Sequence, residues 1–401
     1  MVEQPLSNVR VLDLTWHIAG PYCTKLLADY GADVLKVERP GDGDPARRMG
    51  PFFEDDPHPE KSGLFLFLNT NKRSITLNLK SQTGKRIVRD LVESVDILVE
   101  NFSPRVMPAL GLDYETLATI NPNLVMTSIS NFGQTGPYRD FGASELTLYA
   151  MGGNMCTTGL QDAAPLKKGG SLVQYGGGTL AAAATMIALW GVGTRGTGDH
   201  IDMSLMEVQM ASIDRRMSEL LAYAYNKELT PRMDLAGSAQ FPFGIFPCKD
   251  GYIDVAGGFM FLDRFEAVLG MPLMERYGGA NHFDLERREE FFSTIWYPWI
   301  MSRTKKEVVD ACQEGHVLCA PLNTAEDLLN EEHLKERGFW TEIDHPVVGK
   351  LTYPGRLAIS SELPWVVRRP APLLGQHNVE VLADLGYTGD DLVKLREMGV
   401  I

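Results

Sequence analysis

Positive charge is scarce in this chain. Its 52 acidic residues against 38 Lys and Arg leave a formal net charge of −14. That deficit argues against sequence-independent nucleic-acid binding, which needs a basic face to displace counterions. It argues equally against an anionic membrane surface as partner. Any anionic ligand must therefore be held by a local cluster of cations. Cysteine is also sparse: Cys23, Cys156, Cys248, Cys312 and Cys319 form no C-x-x-C, and Cys312 and Cys319 lack zinc-ligand spacing. Reduced thiols in a cytoplasmic protein are expected, with no metal. The start, M-V-E-Q-P-L-S-N-V-R, has no basic segment followed by an apolar run, so no secretory signal is expected. No run of about 18 apolar residues is read as free of charge, so no membrane span is expected. Neither a Ser/His/Asp set with elbow spacing nor an H-E-x-x-H pattern is present.

What is present is an alternating α/β pattern. V-R-V-L-D-L reads as a strand, Tyr22 to Tyr30 as a helix ended by Gly31, and A-D-V-L-K-V-E as a second strand. That is a β-α-β unit, which implies a parallel sheet and a right-handed crossover. G-K-R-I-V-R-D-L-V-E-S-V reads as a helix. D-I-L-V-E-N-F, L-V-M-T-S-I-S-N-F-G and H-I-D-M-S-L-M read as strands. The apolar run L-F-L-F-L also looks strand-like. The fold class is thus α/β, with a doubly wound, Rossmann-like domain in the first half. Composition shifts around residues 225–240, which read as a linker. Lys249-Asp250-Gly251 then supplies a hairpin turn.

Several stretches carry candidate chemistry. G-V-G-T-R-G at 191–196 matches a dinucleotide fingerprint literally, but a helix precedes it and a strand follows, the reverse of what phosphate binding needs. It reads as a flexible loop. Glu38 reads as a solvated strand end. N-T-N-K-R at 69–73 follows the strand-like run, and Arg39 and Arg105 sit at comparable strand exits. Ligands of doubly wound sheets bind outside the carboxyl ends of the strands. These cations therefore suit a polyanion such as a nucleotide phosphate, although scattered surface cations are common and composition leaves both readings open. His17 ends the first strand and is a candidate base. Glu145 opens a helical run and is either a pocket carboxylate or a first-turn residue. S-L-V-Q-Y-G-G-G, residues 171–178, reads as a strand end, a tight glycine turn and the start of an Ala-rich helix, with Gln174 at the turn.

Together, V-L-D-L-T with A-G-P, A-D-V-L-K-V-E-R-P-G-D-G-D, N-K-R-S-I-T-L-N-L-K, V-E-N-F-S-P, G-Q-T-G-P-Y, R-G-T-G-D-H-I-D-M-S-L-M-E and P-A-P-L-L-G-Q-H-N-V-E-V-L resemble the class III CoA-transferases (CaiB/BaiF type) across nearly the whole chain. The resemblance implies a large Rossmann-like CoA-binding domain from residues 1–225 plus 335–401. It implies a small inserted α+β domain over 226–334, and two chains interlocked as a dimer. Trp16, His17, Ile18, Ala19, Arg39, Asn71, Lys72, Arg73, Asn101, Phe102 and Arg105 match CoA-contact positions. CoA and acyl-CoA would be substrates; no permanently bound cofactor is implied.

Family transferases work through an aspartate that attacks the acyl-CoA thioester. Gln174 stands at that position, and the glycines after it would shape an oxyanion site. A neutral amide forms no acyl anhydride. The racemase branch needs a His-Asp pair at Ser144-Glu145 and Gln174, and lacks both here. Four readings follow. In the first, the chain is a non-nucleophilic subunit paired with a homologous Asp-bearing chain in a heterodimer or heterotetramer, as in succinyl-CoA:benzylsuccinate transferases of anaerobic aromatic degradation; otherwise it forms a homodimer. The second is an autonomous transferase using Glu145. The third is a CoA-ester binding protein without chemistry. The fourth is an isomerase or lyase with His17 as base. The acyl donor and the acceptor acid are not readable. F-P-F-G-I-F and Met260-Phe261 suit either an apolar acyl pocket or a plain core.

Overall fold

The computed structural model describes residues 4–211, 216–229, 231–232, 241–257, 262–277 and 285–401. The chain divides into two compact units. One comprises Met1–Thr158, Leu166–Thr230 and Gly338–Ile401; the other comprises Gly159–Pro165 and Pro231–Arg337.

The larger unit is built on β1 (Arg10–Asp13), α1 (Ala19–Asp29), β2 (Asp33–Glu38), α2 (Gly63–Leu68), β3 (Lys72–Thr76), α3 (Gln82–Val92), β4 (Ile97–Glu100), α4 (Val106–Leu110), α5 (Tyr114–Ala118), β5 (Val125–Ser130), α6 (Glu145–Met151), α7 (Leu172–Arg195) and β6 (Asp199–Ser204). Trp340–His345 and Gly349–Pro354 form a separate antiparallel hairpin, and the six strands just named form one sheet with every pair parallel, in the order β3-β2-β1-β4-β5-β6. That is the doubly wound order, with its topological switch between β1 and β4. Both faces are covered, so the strands are apolar on both sides. Leu12, Leu35 and Leu98 pack with α3 and the C-terminal residues Leu382 and Leu395. Their neighbours Val11, Val34, Ile97 and Val99 pack with α1 and α7. The period of two that made these segments legible as strands is thereby used on both faces.

Four sequence expectations need correction here. L-F-L-F-L is the helix α2, not a strand: the Ser62 hydroxyl accepts the Phe65 N–H and caps it. A short apolar run has no periodicity to separate the two. Leu172 and Val173 are not a strand end but the first residues of α7, which continues through Arg195. It thus absorbs most of G-V-G-T-R-G, and Gly196, left-handed at φ 70°, is its C-cap. Nor is the chain without a long apolar helix. The 24 residues of α7 have the length and composition to cross a membrane, although part of the helix is core. Gly177 and Gly178 allow that packing: a Cβ at Gly178 would lie 2.5 Å from the Ala19 carbonyl, and one at Gly177 would lie 2.1 Å from Leu205.

The smaller unit carries the antiparallel strands β7 (Phe243–Cys248), β8 (Gly251–Ala256) and β9 (Leu318–Pro321), with Lys249 and Asp250 turning the first hairpin. Phe241 and Phe246 belong to its aromatic core around Trp296. Met260 and Phe261 lie outside the described residues.

Candidate active site

The residues after β1 form the centre of the site, and buried charge pins them in place. Lys36 Nζ donates to the Thr15 carbonyl at 2.7 Å and pairs with Asp44 at 2.9 Å. Asn101 accepts the Trp16 N–H at 2.8 Å and returns a bond to its carbonyl at 2.7 Å. Asp44 accepts the His17 N–H at 3.0 Å. His17 is left-handed at φ 67°, a conformation a non-glycine residue keeps only when its surroundings impose it.

Two clefts open at the carboxyl ends of the strands. The first, about 530 Å³, is lined by Trp16, Arg39, Asn78, Leu79, Lys80 and Phe102 among others. The Arg39 guanidinium lies 4.9 Å over the Trp16 ring and pairs with Asp42. The second, about 890 Å³, is lined by His17, Ile18, Ala19, Asn101, Phe102, Arg105, Arg139, Glu145 and Gln174 among others. Phe102 lines both, edge-on to Trp16 at 5.4 Å. Arg105 is held bidentately by Asp140, at 2.6 and 2.8 Å.

Asn71, Lys72 and Arg73 are elsewhere, which corrects the strand-exit expectation. Because L-F-L-F-L is a helix, Asn71 immediately precedes β3 and Lys72 and Arg73 open it, at the amino end of the strand and opposite to the end that lines the clefts. None lines either cleft. Lys72 is fully buried, its ammonium bonded to Asp13 at 3.0 Å, the Pro21 carbonyl at 2.9 Å and Asn69 at 2.9 Å. Asn71 bonds Asp29 at 2.8 Å, and Arg73 pairs with Asp33 and Glu380. The exit of β3 is Leu77–Lys80, so Lys80 is the cation that the sequence reading missed. Its signal was the period-two run R-S-I-T-L, read one element too early. Glu38 is likewise not solvated: it is buried, paired with Arg47 at 2.7 Å and bonded by Ser74 at 2.7 Å. Burial acts to raise its pKa, but Arg47 and Lys36 hold it below the usual glutamate value.

Glu145 and Gln174 are brought together. The Glu145 carboxylate accepts the N–H of Val173 at 2.9 Å and of Gln174 at 3.3 Å, and Lys167 Nζ lies 3.6 Å away. It takes the capping role at α7 that Ser171, the N-cap residue, leaves unfilled. Glu145→Ala should therefore cost about 0.5–2 kcal/mol in denaturant unfolding, measured against Glu145→Gln, which keeps an acceptor.

A further carboxyl lies beneath Phe102. Glu100 is only 3% exposed, accepts the Phe102 N–H at 2.8 Å and lies beside Ser128 in the sheet register. Burial pushes its pKa from the ordinary 4.5 up to about 7. A raised carboxyl pKa means the folded state binds the proton more tightly, so this contribution is full below the ordinary value and lost as pH climbs through 7. Glu100→Gln should accordingly stabilise the protein at pH 8 relative to pH 5, by up to about 3 kcal/mol. Thermal melts at the two pH values check this; equal shifts at both would contradict it.

The family model for CoA-transferase family III matches residues 6–378. The chain is 33% identical over 395 residues to the succinate–glutarate CoA-transferase of Agrobacterium fabrum, covering 96% of each. It is 31% identical over 411 residues to the succinyl-CoA:(R)-benzylsuccinate CoA-transferase subunit BbsE of Thauera aromatica, covering 99% of this chain and 98% of the relative. The crystal structure of a CAIB/BAIF family protein from Brucella suis superposes with a TM-score of 0.82 at 28% identity, over 96% of this chain and all of that one. The chain belongs to CoA-transferase family III, and its enzyme class is CoA-transferase.

Proposed function

We propose that this chain is the non-nucleophilic subunit of an acyl-CoA:carboxylate CoA-transferase, paired with a homologous chain that carries the aspartate. One observation carries the reading. Gln174, which we take to stand at the family's aspartate position, lines the second cleft with no side-chain hydrogen bond among the described residues, while Glu145 beside it is bound to the N–H groups of α7. CoA would lie across the two clefts, with Trp16 and Phe102 between its halves and Arg39 and Lys80 at the phosphate-bearing end. Asn71, Lys72 and Arg73 take no part. Two further points support a partner chain. Ile187 and Trp190, on one face of α7, are 74% and 82% exposed, and exposed apolar surface of this kind marks an interaction site. The relative BbsE is named as a subunit. We propose that the two chains interlock, with residues 226–334 as an inserted small domain, and that the acids exchanged are succinate and an aryl-substituted succinate.

In that assembly the partner's aspartate attacks the thioester carbonyl and the CoA thiolate leaves. The thiolate then attacks the aspartyl carbonyl of the mixed anhydride, releasing the first acid, and the acceptor carboxylate reverses the sequence. Glu145 supports a second reading, an autonomous transferase, because it is a carboxylate on the same cleft. Intact mass spectrometry of the assembly, quenched after mixing with succinyl-CoA, separates the two. A CoA adduct on the partner chain alone is expected. An adduct on this chain at Glu145 would favour the autonomous enzyme.

A further inference from the structure

We infer that Glu100 is a positioning residue for CoA binding: buried at the end of β4, it fixes the Phe102 backbone and with it the aromatic partition between the two clefts. The inference rests on reading those clefts as the CoA site. Glu100 ends β4, and the parallel register sets it beside Ser128 on β5. Ser128 Oγ lies 2.9 Å from His200 Nε2 on β6, and the His200 ring stacks on Tyr114 at 5.2 Å with 16° between planes. Glu100 itself ends on the Phe102 amide, which donates to it at 2.8 Å. From Phe102 the contact passes to Trp16 edge-on, while Asn101, one residue away, holds the Trp16 backbone from both sides. None of these bonds involves the catalytic position.

With Glu100 ionised, its carboxylate accepts the Phe102 N–H as a charged acceptor; with Glu100 protonated, that acceptor is neutral. The proton comes from solvent and nothing is oxidised or reduced. Hydrogen bonds to an ionised acceptor are roughly twice as strong as neutral ones, so the ionised form holds Phe102 more firmly. The groups facing Glu100 set where it switches. Burial and Asp202 disfavour the charge on Glu100, while the Ser128 hydroxyl and Phe102 N–H favour it. Burial keeps His200 neutral against the pull of Glu115, Asp202 and Asp199.

Isothermal titration of the purified assembly with CoA tests this between about pH 6.5 and pH 8.5, in buffers of differing ionisation enthalpy. The wild type should gain roughly three- to tenfold in affinity across that range beyond Glu100→Gln, and should release a fraction of a proton near pH 7 that the variant does not. The titration of the CoA phosphate is common to both proteins and cancels. Ser128→Ala removes a neighbouring hydroxyl that favours the carboxylate, so it should move the midpoint to higher pH. Identical pH profiles and proton release in wild type and Glu100→Gln would overturn the inference while leaving the CoA site standing. No CoA binding at any pH would overturn both.

Discussion

Produced without a second chain, this protein should transfer CoA at a rate on the order of 10³-fold or more below that of the assembly purified from its host. The size follows from the chemistry. Removing a covalent nucleophile removes the route itself, and what remains is binding and orientation. Gln174 supplies no nucleophilic oxygen that survives as an anhydride. The carboxylate next to it is held by two helix N–H groups and Lys167, which favour it as a capping anion and draw electron density from the attack it would make. In the assembly, Gln174→Ala should leave turnover within about threefold, since the amide makes no side-chain hydrogen bond among the described residues. Coupled assay of the chain alone, the assembly and Gln174→Ala checks all three. A fast chain alone, or a large loss in Gln174→Ala, would return the chemistry to this chain.

Lys72→Met should destabilise the larger unit by about 3–5 kcal/mol, a loss large enough to prevent accumulation of folded protein at 37 °C. Lys72 and Asp13 are both fully buried. Removing one strands the other, and an uncompensated buried charge costs far more than the pair contributes. Burial alone would raise the Asp13 pKa, but Lys72, Lys36 and the hydroxyls of Thr15 and Thr24 bring it down to about 2. A carboxylate depressed in this way contributes stability above its ordinary value of 3.8, which is lost as pH falls toward 2. Acid unfolding should therefore be steep in that window, and Asp13→Asn should flatten it. Surviving folded Lys72→Met should bind CoA normally, because Lys72 lies away from both clefts. A stable variant with weakened CoA binding would contradict this placement.

The parallel sheet was legible because its strands alternate between two apolar faces and its helices carry helical spacing between punctuating glycines. Arg10–Asp13, Asp33–Glu38, Ile97–Glu100 and Val125–Ser130 all lie within the segments so read. Illegible was anything that depended on which short apolar run is a helix. Taking Gly63–Leu68 for a strand displaced the whole of β3, put Lys72 at a ligand end, and hid Lys80. Charge pairs were equally hidden. Asp13, Glu38, Asp44 and Arg47 come together only through the sheet, so Glu38 looked solvated when it is buried against Arg47. The second cleft fared better: His17, Asn101, Arg105, Glu145 and Gln174 all line it, since a doubly wound fold gathers its strand exits in one place.

Native mass spectrometry of the protein purified, tagged, from its own host tests the central claim most directly. A mass equal to this chain plus a second chain of similar size is expected, and that chain should carry aspartate where this one carries Gln174. A homodimer that still exchanges CoA would contradict the account and place the nucleophile within this chain.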